Sequence, residues 1–476
     1  MLILIALFLI VFLLLSWRRL ETGLFFIAAL LPTYLIRFQI LGLPLTLLES
    51  MILIVFAIWF FKEWPELKKR LRLVLAGLKN KKNDKDEKDE VEKTNYPFWR
   101  EIILLLVISF ISLVVAGFSL AALGIWKAYF LEPVLLFIVA VNVLSSNKKR
   151  ERLFLALALS VLSISLVAIY QKISGQFIAN DFWAASESRR VVSWFNYPNA
   201  VGLFLAPLVV LFSGVFYSLP KLSSLSGAFK KIGFLLVIIL GVLSIFFARS
   251  DGGLAAVLVA LFVFAFLADR KKRVLALSGL GIFLIFAFAY APLGESLFNH
   301  LGFKNLSGQI RLQQWEETME TLKGPAFLLG NGLSGYQEAV RPYHQDGIFF
   351  NYDGLENFDA VVWASSTLRE KYWQPVEIYL YPHNIFLNFW TELGLIGAIL
   401  FLWILIKATL IALKLFYHYK REDNSRRYLA LGILGALIAI FVHGLVDVPY
   451  FKNDLAALFF LLLAVLGTLK LESEKR

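Results

Sequence analysis

The sequence predicts an all-α fold: a polytopic membrane helix bundle of about twelve or thirteen transmembrane helices with one large, mostly helical loop outside the bilayer. Two observations support it. Of the 476 residues, 59% are hydrophobic and only 17% are charged, which leaves too little polar surface to solvate a globule. The apolar residues also run in stretches of roughly 20, the length that a helix needs to cross a bilayer.

About thirteen apolar segments give this helix count. They lie near residues 2–17, 22–38, 41–62, 101–122, 125–144, 152–173, 198–218, 232–249, 252–268, 274–291, 384–415, 428–446 and 454–470. Segment 2–17 has no basic stretch before it, so we expect a retained helix and not a cleaved signal peptide.

The basic residues fall in alternate connections between these segments, which predicts the orientation of the chain. Examples are Arg18 and Arg19, the run 148–150, the run 270–273 and the pair Arg426 and Arg427. By the positive-inside rule these connections are cytoplasmic, so the N-terminus faces out and the C-terminus faces in. The net charge of +12 is therefore an orientation signal, and we expect no nucleic-acid partner.

Composition and charge divide the chain into six parts. They are the N-terminal transmembrane helices 1–62, a charged cytoplasmic linker 63–100, a central bundle 101–291, an outward-facing catalytic loop 292–382, the C-terminal helices 383–470 and a cytoplasmic tail 471–476. A long loop in an otherwise tight bundle is usually functional. The chain has no cysteine, which excludes disulfides, thiolate metal ligands and a thiol nucleophile.

The outward loop and its borders carry an ordered set of motifs. Arg311 and Trp315 lie four residues apart, Gly330-Asn331-Gly332 follows, and His383-Asn384 opens a long apolar helix containing Glu392-Leu393-Gly394. Upstream are 195–199 (Phe-Asn-Tyr-Pro-Asn) and Arg249 before an apolar helix. Together, over about residues 100–470, this order resembles the O-antigen ligase and polymerase superfamily.

The resemblance implies an activity and a location. Members are metal-independent glycosyltransferases of the bacterial inner membrane that need no cofactor. They move a glycan from undecaprenyl pyrophosphate onto a lipid, sugar or protein acceptor at the outer face. The matched residues are His383 as the general base and Arg311 and Arg249 as the cations that hold the diphosphate. Direct displacement with a single base implies inversion at the anomeric carbon.

The chemistry of these residue types agrees with those roles. A diphosphate leaving group carries dense negative charge, and a guanidinium binds phosphate oxygens through two parallel hydrogen bonds. An imidazole exchanges a proton near neutral pH, so it suits the deprotonation of an acceptor hydroxyl. We place four further residues in the substrate-binding set: Arg189, Arg190, Trp315 and Asn384.

Each assignment has a structural alternative that the sequence leaves open. Arg249 could anchor a helix end, and Asp251 could neutralise it. Arg311 could pair with a nearby carboxylate, Trp315 could be an interface anchor, and Arg189 and Arg190 could be surface charges. We expect His443 and Asp447 to form a structural pair and Lys452 to meet lipid headgroups.

The functional class also has alternatives. A polymerase or a protein oligosaccharyltransferase would use the same motifs with a different acceptor. A transporter of lipid-linked glycan would instead carry charges and broken helices at the membrane midplane. Since the polar residues gather at one face, with Glu49 and Glu132 as the main exceptions, the sequence favours the enzyme.

Overall fold

A computed structural model describes residues 2–40, 43–79, 97–219, 225–290, 294–295, 298–300, 302–419 and 423–475. The protein is 77% helical with almost no strand, which confirms the predicted all-α class. Residues 80–96 of the predicted cytoplasmic linker lie outside the described residues.

The N-terminal part contains three helices and a short hairpin. The elements are α1 (Leu2–Arg18), α2 (Leu20–Ala29), a 3₁₀ turn (Leu31–Leu35), strands β1 (Arg37–Ile40) and β2 (Leu43–Thr46), and α3 (Leu47–Lys79). The strands pair antiparallel, with Arg37 opposite Thr46. The predicted segment 22–38 is therefore a short helix followed by non-helical chain, because Pro32 starts a tight turn after α2 ends.

The central part is a run of long helices joined by short connections. The elements are α4 (Trp99–Val115), α5 (Leu120–Trp126), a π-helical turn (Lys127–Leu131), α6 (Glu132–Val143), α7 (Asn147–Ser174), the short α8 (Asp181–Ala184), α9 (Asn199–Ser218), α10 (Leu225–Phe247), α11 (Asp251–Ala268) and α12 (Arg270–Ala289). The π-helical turn joins α5 and α6 into one span, Leu120–Val143.

The long loop between α12 and the last three helices is built from short elements. They are α13 (Leu306–Thr321), α14 (Ala326–Leu329), α15 (Tyr336–Val340), a 3₁₀ turn (Arg341–Tyr343), β3 (Gly347–Phe349), α16 (Phe358–Ala364), α17 (Ser366–Tyr372) and β4 (Trp373–Pro375). Strands β3 and β4 pair antiparallel. The chain then returns to the bundle as α18 (Ile385–His418), α19 (Asn424–Gly444) and α20 (Asn453–Glu474).

Eight helical spans among the described residues are long and apolar enough to cross a membrane. They are Leu120–Val143, Asn147–Ser174, Asn199–Ser218, Gly227–Phe247, Asp251–Ala268, Ile385–His418, Asn424–Gly444 and Asn453–Glu474. Helices α1 and α2 are apolar but shorter, at 17 and 10 residues. The chain is thus a multi-pass membrane protein, and the eight spans are the part of the predicted count that length and hydropathy support.

Helices α9, α19 and α20 form the centre of the bundle, and most of their residues are buried. Helices α9 and α19 touch through their backbones at Gly214 and Gly432, where an added Cβ on Gly214 would lie 2.4 Å from the Gly432 Cα. The hydrophobic effect does not drive helices together in lipid, so helices associate there through close van der Waals packing. Small residues such as these two glycines allow the backbones to approach closely enough for it.

The two ends of the bundle differ in character. At one end, which we call the basic end, Arg150 and Arg426 both bond to Glu472, and Lys230 pairs with Glu151. At the other end, the loop end, the chain between α12 and α18 packs over the helix termini. Every sequence-predicted site residue lies at the loop end.

Candidate functional site

His383 lies where the long loop enters α18. Its backbone is left-handed, with φ of +44°, a conformation that costs a non-glycine residue free energy and is often found at functional sites. Neighbouring contacts hold it there. Asn384 caps α18 by accepting from the N–H groups of Phe386 and Leu387. Trp315 donates from Nε1 to the Pro382 carbonyl at 2.8 Å, which fixes the preceding peptide.

The imidazole of His383 is oriented by a buried carboxylate. Its Nδ1 lies 3.4 Å from Oδ1 of Asp447, which follows α19 and is 1% exposed. The rings of Tyr379 and Tyr381 flank the imidazole edge to face, at centroid distances of 5.1 and 5.3 Å. Nε2 of His383 has no partner among the described residues, and the side chain is 17% exposed. The second ring nitrogen is therefore the one that can meet a substrate.

Asp447 stays ionised in this setting. Although burial alone would raise its pKa, its electrostatic and hydrogen-bonding interaction with His383 and the positive charge of Arg311 hold the pKa below the ordinary value. Asp447 Oδ1 also accepts from the Val448 backbone N–H at 2.9 Å. An ionised carboxylate at this position favours the tautomer of His383 that carries its proton on Nδ1.

A polar chain continues from Asp447 to the first arginine. Asn199, at the start of α9, donates from Nδ2 to Asp447 Oδ2 at 3.3 Å. Its Oδ1 accepts from Nη2 of Arg190 at 3.1 Å. Arg190 also donates to the carbonyls of Ala248 and Arg249, at 3.1 and 3.3 Å. Asn199 therefore connects the histidine side of the site to the arginine side.

Arg249 ends the turn between α10 and α11. Like His383 it has a left-handed backbone, with φ of +49°. Its Nη2 reaches the Glu187 carbonyl at 3.5 Å, and its other N–H groups have no acceptor among the described residues. The carboxylate of Asp251 lies 3.7 Å from Nε2 of His300 and forms no ion pair with Arg249. Arg249 thus presents donors that an anion can use.

Arg311 reaches the same region from α13. Its Nε donates to the Val446 carbonyl at 2.9 Å, one residue before Asp447. Its Nη1 donates to the backbone and side-chain oxygens of Ser307, both at 3.0 Å. These contacts fix the plane of the guanidinium and leave Nη2 without an acceptor in the part of the chain that the structure describes.

The three arginines lie close enough to repel one another. Burial has the largest effect and lowers the pKa of Arg190. The charges of Arg249 and Arg311 lower this pKa further, whereas the charge of Asp251 opposes the shift. None of the three forms an ion pair with a carboxylate within the described ranges. Clustered cations with unused donors are the arrangement expected of an anion site.

The other predicted ligands have structural contacts. Arg189 donates to the carbonyls of Ala184, Lys172 and Ile173, so its guanidinium closes the connection between α7 and α9. Asn384 donates to the Leu445 carbonyl at 3.1 Å in addition to capping α18. Together with Trp315, it positions His383.

The sequence paired Asp447 with His443, whereas the structure pairs the carboxylate with His383. His443 is 2% exposed, and its Nδ1 has no partner among the described residues. Lys452, expected at lipid headgroups, lies between the rings of Phe195, Tyr197 and Tyr34. Burial lowers its pKa. In the sequence, only the position of Asp447 in a helix connection at the loop end indicates a role for it, and no sequence motif links Asp447 to His383.

Within the described residues, no three or more His, Asp or Glu side chains form a group able to hold a metal ion. The cations that the site itself offers are guanidinium groups.

Comparison with known proteins finds one family that resembles part of the chain. A family model described as O-antigen ligase matches residues 235–402, a range that includes Arg249, Arg311, Trp315, His383 and Asn384. No curated protein matches the chain. Members of this family are membrane glycosyltransferases in polysaccharide biosynthesis that act on lipid-linked glycans and acceptors. The match over residues 235–402 and the multi-pass helical bundle support membership of the O-antigen ligase superfamily.

Proposed function

We propose that the protein transfers a glycan from undecaprenyl pyrophosphate to an acceptor hydroxyl at the outer face of the bacterial inner membrane. His383 is the general base, and Arg249 and Arg311 bind the diphosphate. Arg190 completes the cationic surface, while Asp447, Asn384 and Trp315 hold the imidazole in place.

One observation supports this function above the others: an imidazole held by a buried carboxylate lies beside three arginines that form no ion pair with any carboxylate in the described part of the chain. A base and an anion site side by side are what a glycosyl transfer from a diphosphate requires. The base accepts a proton from the nucleophile while the cations stabilise the charge that develops on the leaving group.

The proposed step balances as follows. The acceptor oxygen attacks the anomeric carbon and loses its proton to Nε2 of His383. The bond from the anomeric carbon to the phosphate oxygen breaks, and undecaprenyl pyrophosphate leaves with the electron pair. Asp447 stabilises the imidazolium that results through Nδ1–H. A single displacement of this kind inverts the anomeric centre.

The site also supports two finer proposals. The guanidinium groups supply the positive charge for the diphosphate, so we propose that transfer needs no divalent metal. We further propose that the N-terminus faces out and the C-terminus faces the cytoplasm, because the basic end has the composition of a cytoplasmic face.

The acceptor distinguishes ligase, polymerase and oligosaccharyltransferase, and the same residues serve all three. A purified preparation supplied with undecaprenyl pyrophosphate-linked glycan and, in separate reactions, a lipid, a glycan or a protein acceptor would identify the class. We expect one acceptor to be glycosylated in the presence of EDTA. Movement of the donor across the membrane of vesicles that contain the protein, without any glycosylated product, would support a transporter instead.

The His383→Gln variant tests the mechanism. Loss of a general base typically reduces the rate by a factor of about 10² to 10⁴. His418→Gln is the matched control, because His418 is exposed at the basic end of α18. A folded His383→Gln variant that transfers glycan at the wild-type rate would show that another group removes the proton.

A further inference from the structure

His344 joins two segments of the long loop that carry site residues. Its Nδ1 lies 3.2 Å from Oε2 of Glu317 on α13, and its Nε2 lies 3.0 Å from the carbonyl oxygen of Val376 after β4. Both partners are acceptors, and the side chains of His344 and Glu317 are 9% and 5% exposed. A small buried group thus connects α13 to the chain that leads to His383.

Glu317 is hydrogen-bonded through both of its oxygens. Oε1 accepts from the Gln345 backbone N–H at 2.9 Å and from Nε2 of Gln313 at 2.7 Å, while Oε2 faces Nδ1 of His344. One proton between Nδ1 and Oε2 and one on Nε2 therefore satisfy every polar atom of the His344–Glu317 pair.

The two segments that His344 joins also contact the bundle. Helix α13 carries Arg311, which bonds to the Val446 carbonyl, and Trp315, which bonds to the Pro382 carbonyl. The segment after Val376 carries Tyr379 and Tyr381 and then His383 itself. The distance between the diphosphate-binding arginine and the base therefore depends on how these two segments are held together.

We propose that His344, hydrogen-bonded to Glu317 and to the Val376 carbonyl, is a positioning residue that sets Arg311 and Trp315 against His383. This inference rests on the proposed function for its effect on transfer, but its structural part is independent of any activity. The imidazole ring of His344 touches no reacting atom and acts through the two segments that it joins.

Hydrogen exchange measured by mass spectrometry on the full-length protein tests the structural part. In His344→Gln and Glu317→Gln, amides of residues 306–321 and 373–383 are expected to exchange faster, while α9 and α19 keep wild-type protection. His418→Gln is the control. Unchanged protection in both segments, or loss of protection throughout the bundle, would overturn the proposal.

Steady-state transfer tests the functional part. We expect the donor KM to rise by roughly 2- to 30-fold in His344→Gln, with a similar rise in Glu317→Gln and no additional rise in the double variant. A merely structural role would lower the active fraction and leave KM unchanged. If the wild type shows no transfer at all, the proposed function fails, and the exchange result still decides whether His344 joins the two segments.

Discussion

The replacement Asp447→Asn tests how much the carboxylate contributes by orienting His383, because it leaves the imidazole itself unchanged. Asparagine has nearly the same shape, so it can keep the contact with the Val448 N–H, but it removes the charge opposite Nδ1. A hydrogen bond to a charged group contributes about 1.5–3 kcal/mol. If the transition state loses that amount, the rate of transfer falls by roughly 10- to 150-fold.

The assay is single-turnover transfer from lipid-linked donor at saturating acceptor, which separates the chemical step from product release. Asp353→Asn is the matched control, because Asp353 pairs with Lys371 at an exposed position on the loop. We expect the Asp447→Asn rate to fall and donor binding to change little, since the arginines remain. A folded Asp447→Asn protein with a rate within twofold of the control would refute the assigned role of the carboxylate.

Three further predictions test other parts of the structure. Arg311→Ala should weaken donor binding as well as transfer, and Arg311→Lys should restore only part of the donor binding. One ammonium cannot both bond to the Val446 carbonyl and present a planar fork to phosphate. Titration with the donor measures the affinity of both variants. Gly394→Ala should lower the amount of folded protein and its Tm, since φ at Gly394 is +79° and an added Cβ would lie 1.9 Å from the Leu328 carbonyl oxygen. Gly279→Ala is the control, because an added Cβ at Gly279 meets no atom within 4 Å among the described residues. In the cysteine-free chain, a membrane-impermeant thiol reagent applied to intact cells should label Asp346→Cys and not Lys85→Cys, and the opposite pattern would reverse the proposed orientation.

The pH dependence of stability follows from the same carboxylate. The folded-state pKa of Asp447 is below its value of about 4 in the unfolded chain. Its contribution to the free energy of unfolding is therefore complete above pH ~4 and is lost as the pH falls toward the folded-state pKa. Acid unfolding of the wild type should include this loss below pH ~4, and Asp447→Asn should lack it, as measured by thermal melts across that range.

Hydropathy predicted the helices well because each one must satisfy its own backbone in lipid. It failed at segment 22–38, where the average apolar character hid the tight turn at Leu31–Leu35 and the hairpin that follows. The sequence shows Gly394 as part of the motif Glu392-Leu393-Gly394 but gives no structural role for this glycine. In the structure it lets α18 bend beside Leu328, while Glu392 accepts from the Ser334 N–H at 2.7 Å.

The site could be predicted only in part from the sequence. His383, Arg249 and Arg311 were identified through the order of family-like motifs, and the structure places all three at one end of the bundle. Asp447 lies 64 residues after His383, on a different helix connection. A contact across that separation depends on how α18 and α19 pack, which no local pattern encodes. The contact between His344 and Glu317 was missed for the same reason, since both residues look like ordinary loop polar groups.

The packing also explains why two central site residues can keep costly backbone conformations. His383 and Arg249 both have positive φ, and each such residue costs on the order of 1–3 kcal/mol unless its surroundings impose it. The surroundings here come from several parts of the chain: Asn199 begins α9, Asp447 follows α19, and Trp315 lies on α13. No single helix or loop segment therefore contains the site. Because the loop supplies the arginine of α13 and the bundle supplies the carboxylate that orients the base, neither part has the complete site without the other.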